Sequence, residues 1–260
     1  MSAPPPPWFV ELLAHRRWVY RTRPFPHVYV RDVFTLDFYR RLAEEFQRLR
    51  TSQPDLFTKV TDGYGAGGVS LTRIGNGPFE VFLSRAWNDL IAGVVGVGVT
   101  GDVEGSLHRH PPGSPRGWPH HDLTPAWFPE PIPEPTRAGL PSAEIDLKSG
   151  ARPEGVPARE LVRAVAVLFY LGNGPWQPGA GGETGLFADI GTVDPATGQP
   201  IPAISIPPVD NSMIVFECTP RSWHTFLGAN ISARNCVVMW LHRPREQAEQ
   251  LWGGERIVQW

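Results

Sequence analysis

His120 and Asp122 stand two positions apart, His224 lies far downstream, and Arg234 follows ten residues after it. On an extended strand, side chains two apart share a face, so His120 and Asp122 would point one way and His121 the other. Two imidazoles and one carboxylate form a facial ligand set that suits non-heme Fe(II) and leaves coordination positions open. A guanidinium close to that face can hold a carboxylate in a bidentate fork. Zinc accepts the same ligand types and activates a bound water. A zinc hydrolase, however, wants a nearby carboxylate base and has no evident use for Arg234. A third reading is a β-helix protein that binds a metal or small ligand without turnover, as a sensor or scaffold.

The elements around these residues must position them. Asn211 to Cys218 is an apolar, β-branched run that reads as a buried strand, broken by Thr219-Pro220 just ahead of His224. Gly228-Ala229-Asn230 signals a turn, and Arg234 to Leu241 reads as the returning strand. An antiparallel return would carry Arg234 back to the metal face. Leu161 to Leu171 is apolar on both faces and is expected at the centre of its sheet. His108 and His110 alternate in step on the strand entering the site. Thr35 or Asp37 caps a helix running to about Arg50, with Phe38, Leu42, Phe46 and Leu49 on one face. Phe79, Leu83, Ala86, Trp87, Leu90 and Val94 describe a second amphipathic helix. Residues 61–68 form a glycine-rich loop without the Lys-Ser/Thr ending of a phosphate loop, which leaves a surface loop or an active-site lid.

Composition bounds the rest. The chain has 260 residues, enough for one large β domain, and a formal net charge of −2 that offers no footprint for nucleic acid or an anionic membrane. The basic stretches at Arg16-Arg17 and Arg21 to Arg23 are interrupted by Trp18 and Tyr20 and read as solvated surface. Two cysteines, Cys218 and Cys236, are too few for a disulfide framework, and the opening polyproline tract lacks the layout of a secretory signal. A cytoplasmic protein is the expectation, with no membrane partner. The 29 prolines and 27 glycines favour strands between frequent turns, hence a barrel or sandwich over a helical bundle. Twelve prolines fall between Pro111 and Pro157, so that stretch cannot be regular central sheet. Residues 124–157 therefore read as an insertion leaving the metal site, a lid whose Trp127 and Phe128, with Trp118 just before it, are pocket-wall candidates.

Taken together, these segments resemble the Fe(II)- and 2-oxoglutarate-dependent dioxygenases, in particular their prolyl-hydroxylase-like branch. The resemblance rests on His120-x-Asp122, His224 and Arg234, and on Pro24 to Val30 leading into a helix. It also includes Leu168-Phe169-Tyr170-Leu171 with Gly181-Gly182-Glu183-Thr184, and Ser222-x-His224 with Arg234 and Trp240. It implies a mainly β chain with a double-stranded β-helix (jelly-roll, cupin-like) core and N-terminal helices packed on one sheet. Residues 1–24 would be an arm and 25–260 a single catalytic domain. The resemblance also implies Fe(II) held by His120, Asp122 and His224, 2-oxoglutarate as co-substrate and dioxygen as oxidant. Arg234 would bind the distal carboxylate, with His110 and Ser222 as further co-substrate-binding candidates. The substrate implied is a small molecule or a peptide, hydroxylated at an unactivated C–H with release of succinate and CO2. Asp122 stands where related halogenases lack a carboxylate, which disfavours halogenation. Two departures are visible: His110-Pro111-Pro112-Gly113 where many relatives carry a tyrosine, and Arg234-Asn235-Cys236 where some have Arg-x-Ser. His121 is expected to be structural, as is Glu183, and Arg73 to be solvated rather than to grip a substrate carboxylate.

Overall fold

A computed structural model describes residues 4–15, 17–61 and 64–259. In chain order the strands are β1 (Val19–Arg21), β2 (His27–Val30), β3 (Thr58–Lys59), β4 (Gly67–Ser70), β5 (Val103–His110) and β6 (Pro125–Pro129). They continue with β7 (Ala158–Tyr170), β8 (Thr184–Leu186), β9 (Ile204–Ile206), β10 (Ser212–Glu217), β11 (His224–Phe226) and β12 (Arg234–Pro244). The helices are α1 (Pro7–Val10), α2 (Leu36–Ser52), α3 (Arg85–Val95) and α4 (Arg245–Trp252).

Alternation along the apolar strands separates two cores. Val165, Val167 and Phe169 of β7, Met213 and Val215 of β10, and Val237, Met239 and Leu241 of β12 face one way, into a cluster with Phe38, Leu42 and Phe46 of α2 and Trp87 and Ile91 of α3. Their neighbours Ala166, Leu168, Tyr170, Ile214, Phe216, Cys236, Val238 and Trp240 face the other way, against Leu186 of β8 and Ile206 of β9. Both faces of β7 are thus covered, which explains its continuous apolar run. The large sheet runs β1-β2-β10-β7-β12-β5-β4-β3, with β6 paired to the first half of β7, and a small sheet runs β11-β8-β9. The strand pairs are antiparallel, and two facing antiparallel sheets with helices on the outer face of the larger give the jelly-roll expected.

Several expectations are corrected. The return to Arg234 is not antiparallel to β10: β10 and β12 each pair antiparallel with β7 and flank it. Between them the chain leaves the large sheet at Thr219-Pro220, crosses to the small sheet as β11, and comes back. The second amphipathic helix is two pieces, a 3-10 segment Pro78–Leu83 and α3, because Ser84 is extended and accepts the Trp87 amide at 3.2 Å as an N-cap. Thr35 precedes α2 at the cap position without a side-chain cap bond. The proline-rich stretch contains a regular strand, β6, with Pro125 and Pro129 at its two ends. In the arm, Phe9 is fully buried against Trp87 and β1 pairs with β2. Met1 to Ala3, Arg16, Asp62 and Gly63, which belong to the polyproline, basic-cluster and glycine-loop readings, lie outside the described residues. Among the described residues no helix is long and apolar enough to cross a membrane.

Candidate metal centre and cavity

The two histidines meet through the backbone. Residues 117–120 run beside β11: Gly117 donates its amide to the Phe226 carbonyl at 3.0 Å, His120 to His224 at 3.0 Å, and His224 back to His120 at 2.9 Å. That single bridge, rather than the regular strand expected, sets the two imidazoles side by side with ring centres 4.5 Å apart. His120 Nδ1 lies 2.9 Å from the Trp118 carbonyl, and His224 Nδ1 lies 3.0 Å from the Ser222 carbonyl. A carbonyl only accepts, so each ring carries its proton on Nδ1 and presents Nε2 as a ligand atom. Both Nε2 atoms face Asp122, at 3.6 and 3.5 Å from its two oxygens. One ligand atom from each of the three residues lies within 4.8 Å of the others, close enough to hold a metal ion.

Asp122 is 4 % exposed and strongly supported. Trp240 donates its indole N–H to Oδ2 at 2.7 Å, and the Arg163 guanidinium lies 3.9 Å from Oδ1. Burial alone would raise the carboxyl's pKa, but His224, His120 and Arg163 outweigh it and hold the group well below the usual carboxylate range. Arg163 lies over the Trp240 ring at 3.6 Å and is paired with Glu104 at 3.1 Å. Burial, reinforced by His224, depresses His120 to about 4, so its imidazole is neutral and fit to bind a cation.

The triad opens into a cavity of about 300 Å³ that also receives Arg234 from β12 and Thr184 from β8. Arg234 is 3 % exposed. It donates to the Cys236 sulfur at 2.9 Å and to Thr184 Oγ1 at 3.0 Å, and is flanked by the Tyr170 and Phe226 rings. Its Nε is buried without a partner, and among the described residues no carboxylate pairs with it. A buried guanidinium with no counter-charge is costly unless an anion joins it. Backbone conformation places this corner. Gly181 (φ +72°) passes so close to the 228–230 turn that a Cβ would sit 2.3 Å from the Ala229 carbonyl oxygen, and Thr184 follows directly.

The remaining sequence candidates divide clearly. His110 is fully buried but does not line the cavity; it stacks on Phe226 at 3.9 Å and meets the Tyr64 hydroxyl at 3.2 Å. Its neighbour in step, His108, does line the cavity, and burial followed by Arg234 depresses it to about 3. The Ser222 hydroxyl is spent on the Thr219 backbone, closing the turn before β11, so it acts on His224 through its carbonyl rather than on a co-substrate. His121 packs against Trp223. Trp118 lines the cavity, whereas Trp127 sits over Gly150 and Phe128 is buried with Ala126 and Leu161. Arg73 is exposed, and neither it nor Glu183 lines the cavity.

Reading the sequence missed Tyr64, Thr184, Arg163 and Trp240. Tyr64 comes from the glycine-rich loop, where no periodicity betrays an inward side chain. Arg163 left a signal, as the one charge in the run Leu161 to Leu171, a place where an arginine needs a partner.

The sequence model of the 2OG-Fe(II) oxygenase superfamily matches residues 146–242. No curated protein matches the chain. Among solved structures, a Pseudomonas putida prolyl-4-hydroxylase is similar over 84 % of this chain and 92 % of its own, with a TM-score of 0.55 and 21 % identity. A Trichoplax adhaerens prolyl hydroxylase, solved with a hypoxia-inducible-factor peptide fragment, covers 86 % of each chain at a TM-score of 0.55 and 15 % identity. The epimerase SnoN, solved with Fe3+, alpha-ketoglutarate and nogalamycin RO, covers 83 % of this chain and 78 % of its own at 0.50 and 13 %. At these identities the structural likenesses speak for the fold. The family match covers the stretch from β7 into β12, which includes His224 and Arg234 but not His120 or Asp122.

Proposed function

We propose that this protein is an Fe(II)- and 2-oxoglutarate-dependent oxygenase that hydroxylates an unactivated C–H of an amino-acid, peptide or peptide-like substrate, releasing succinate and CO2, with His120, Asp122 and His224 as the iron ligands. The observation that carries the reading is Arg234, a buried cation with no carboxylate partner among the described residues, opening into the same cavity as the triad. The ligand set fits Fe(II): two imidazoles that present Nε2 while Nδ1–H is held by a backbone carbonyl, and one carboxylate that accepts the Trp240 indole N–H. When bound, iron with 2-oxoglutarate and dioxygen supplies the oxidation: one oxygen atom goes to succinate and the other to the substrate.

The protein's part is binding and orientation. Arg234 and Thr184 receive the distal carboxylate of 2-oxoglutarate, with the Tyr170 hydroxyl held beside them through its 2.7 Å contact to Thr184. Leu168, Val238 and Phe226 line the cavity with apolar surface and keep bulk water from the reacting centre. The peptide-bound relative supports a peptide-like substrate. Zinc-dependent hydrolysis finds no free base among the described residues: apart from Asp122, the carboxylate lining the cavity there is Glu104, which is tied to Arg163.

The test is an anaerobic titration of the Fe(II)-loaded protein with 2-oxoglutarate, followed in the visible spectrum. A weak charge-transfer band should appear, and Arg234→Ala should raise the 2-oxoglutarate concentration needed by roughly ten- to a hundredfold, as expected for loss of a charged hydrogen bond. Bound iron with no band at any concentration would refute the co-substrate assignment.

A further inference from the structure

Two side chains at the cavity's mouth come from segments that no part of the proposed iron or co-substrate site uses: Lys148, from the proline-rich stretch, and Gln259, from the end of the chain. Both are placed by construction. Residues 146–151 form a tight turn in which the Asp146 carboxylate accepts the Lys148 amide, the Ser149 amide and the Ser149 hydroxyl, and the Asp146 carbonyl accepts the Gly150 amide at 2.8 Å. The turn is docked on β6, where Trp127 donates its amide to the Leu147 carbonyl and its indole covers Gly150, leaving no room for a Cβ there. The end of the chain is fixed in turn: Val258 donates its amide to Leu123, next to Asp122, and Gln259 Nε2 donates to the Lys148 carbonyl at 2.8 Å.

Charge across the cavity is uneven. Its lining carries Lys148, Arg163 and Arg234 against Glu104 and Asp122. Arg163 is balanced by Glu104. A divalent cation with 2-oxoglutarate would be neutral together, and Asp122 offsets Arg234. Among the described lining residues one positive charge is left over, at Lys148; the Asp146 carboxylate beside it feels that charge but is engaged by donors of its own turn and forms no ion pair with the ammonium. The cavity, about 300 Å³, is of the size that receives small ligands.

We infer that the substrate carries a free carboxylate, which Lys148 receives at the mouth while the neighbouring carbon framework enters toward the metal. The inference rests on the oxygenase reading above. The carboxylate is that of a free amino acid or the terminal carboxylate of a peptide, and matched probes separate the two. Free amino acids, N-acetyl amino acids and dipeptides are offered as acids and as primary amides to the Fe(II)- and 2-oxoglutarate-loaded protein. Binding is read by quenching of tryptophan fluorescence, since Trp118 lines the mouth, and coupled turnover by succinate release.

Acids should bind at least about tenfold more tightly than their amides, the difference expected from a charge-assisted hydrogen bond. Lys148→Gln should erase the difference, and Lys148→Arg should restore most of it. Preference for free over acetylated amino acids assigns the carboxylate to a free amino acid, and preference for dipeptides assigns it to a peptide terminus. Equal binding of acids and amides, an acid preference that survives Lys148→Gln, or no binding by any acid to protein that still consumes 2-oxoglutarate would overturn the inference. Absence of any 2-oxoglutarate consumption by the wild-type protein, with or without these probes, would instead strike the oxygenase reading beneath it.

Discussion

The Asp122 carboxylate receives the Trp240 indole N–H at 2.7 Å and feels a guanidinium that is itself tied to Glu104. Such outer partners set the orientation and basicity of a ligand, and their loss commonly costs about ten- to a hundredfold in metal affinity. Trp240→Phe keeps the ring beneath Arg163 and removes the donor. Its Fe(II) affinity, measured by competition with a chelator, should therefore fall within that range while far-UV circular dichroism stays unchanged. Asp122→Ala should go further and abolish both iron binding and turnover; normal activity in that variant would remove Asp122 from the site. At this scale the ligand set was legible because its spacing and residue types are chemically restrictive. Trp240, Arg163, Tyr64 and Thr184 were not, because their roles depend on which faces the folded strands bring together. Ser222 misled for the opposite reason: it stands next to a ligand in sequence, yet its hydroxyl serves the local backbone.

Among the elements, periodicity exposed what is regular. The α2 face was readable residue by residue, and β7 announced its central position by being apolar on both sides. Breaks were less visible. Ser84 looked like a polar residue on a helix, although it ends one helical segment and caps the next. Ser84→Ala should cost about 1 kcal/mol of unfolding free energy, measured by urea denaturation. The path from β10 to Arg234 was read as an antiparallel return because a turn signal between two apolar strands gives no hint that the chain has changed sheets. Gly181, between β7 and β8, packs against the 228–230 turn of that path. Its positive φ and its contact with the Ala229 carbonyl predict that Gly181→Ala destabilises the protein by about 1–3 kcal/mol. The same substitution should weaken 2-oxoglutarate binding, because it shifts the Thr184 segment that meets Arg234.

For the molecule as a whole, buried neutral histidines dictate how the fold responds to acid. Burial holds His108 at about 3, His110 at about 2 and His242 at about 3, each far below the ordinary histidine value. Between that ordinary value and the depressed one, the unfolded chain binds protons that the folded chain does not. Stability is therefore greatest above about pH 6.5 and falls as pH drops toward 3, by up to about 1.4 kcal/mol per pH unit for each such group. Urea midpoints of the metal-free protein at pH 7 and pH 5 should differ in that direction. The jelly-roll itself was readable only in outline from strand and turn signals, since pairing order is set by packing far apart in sequence. That separation has a further consequence at the metal centre. Asp122 and His224 stand 102 positions apart (224 − 122), and His120 meets His224 through one isolated backbone bridge beside β11. A cation bound there acts as a removable cross-link on the unfolded chain's freedom, closing a long loop that nothing covalent closes. Metal at a hundredfold excess over its dissociation constant should add about 2.7 kcal/mol, seen as a higher Tm, and a chelator should take it away.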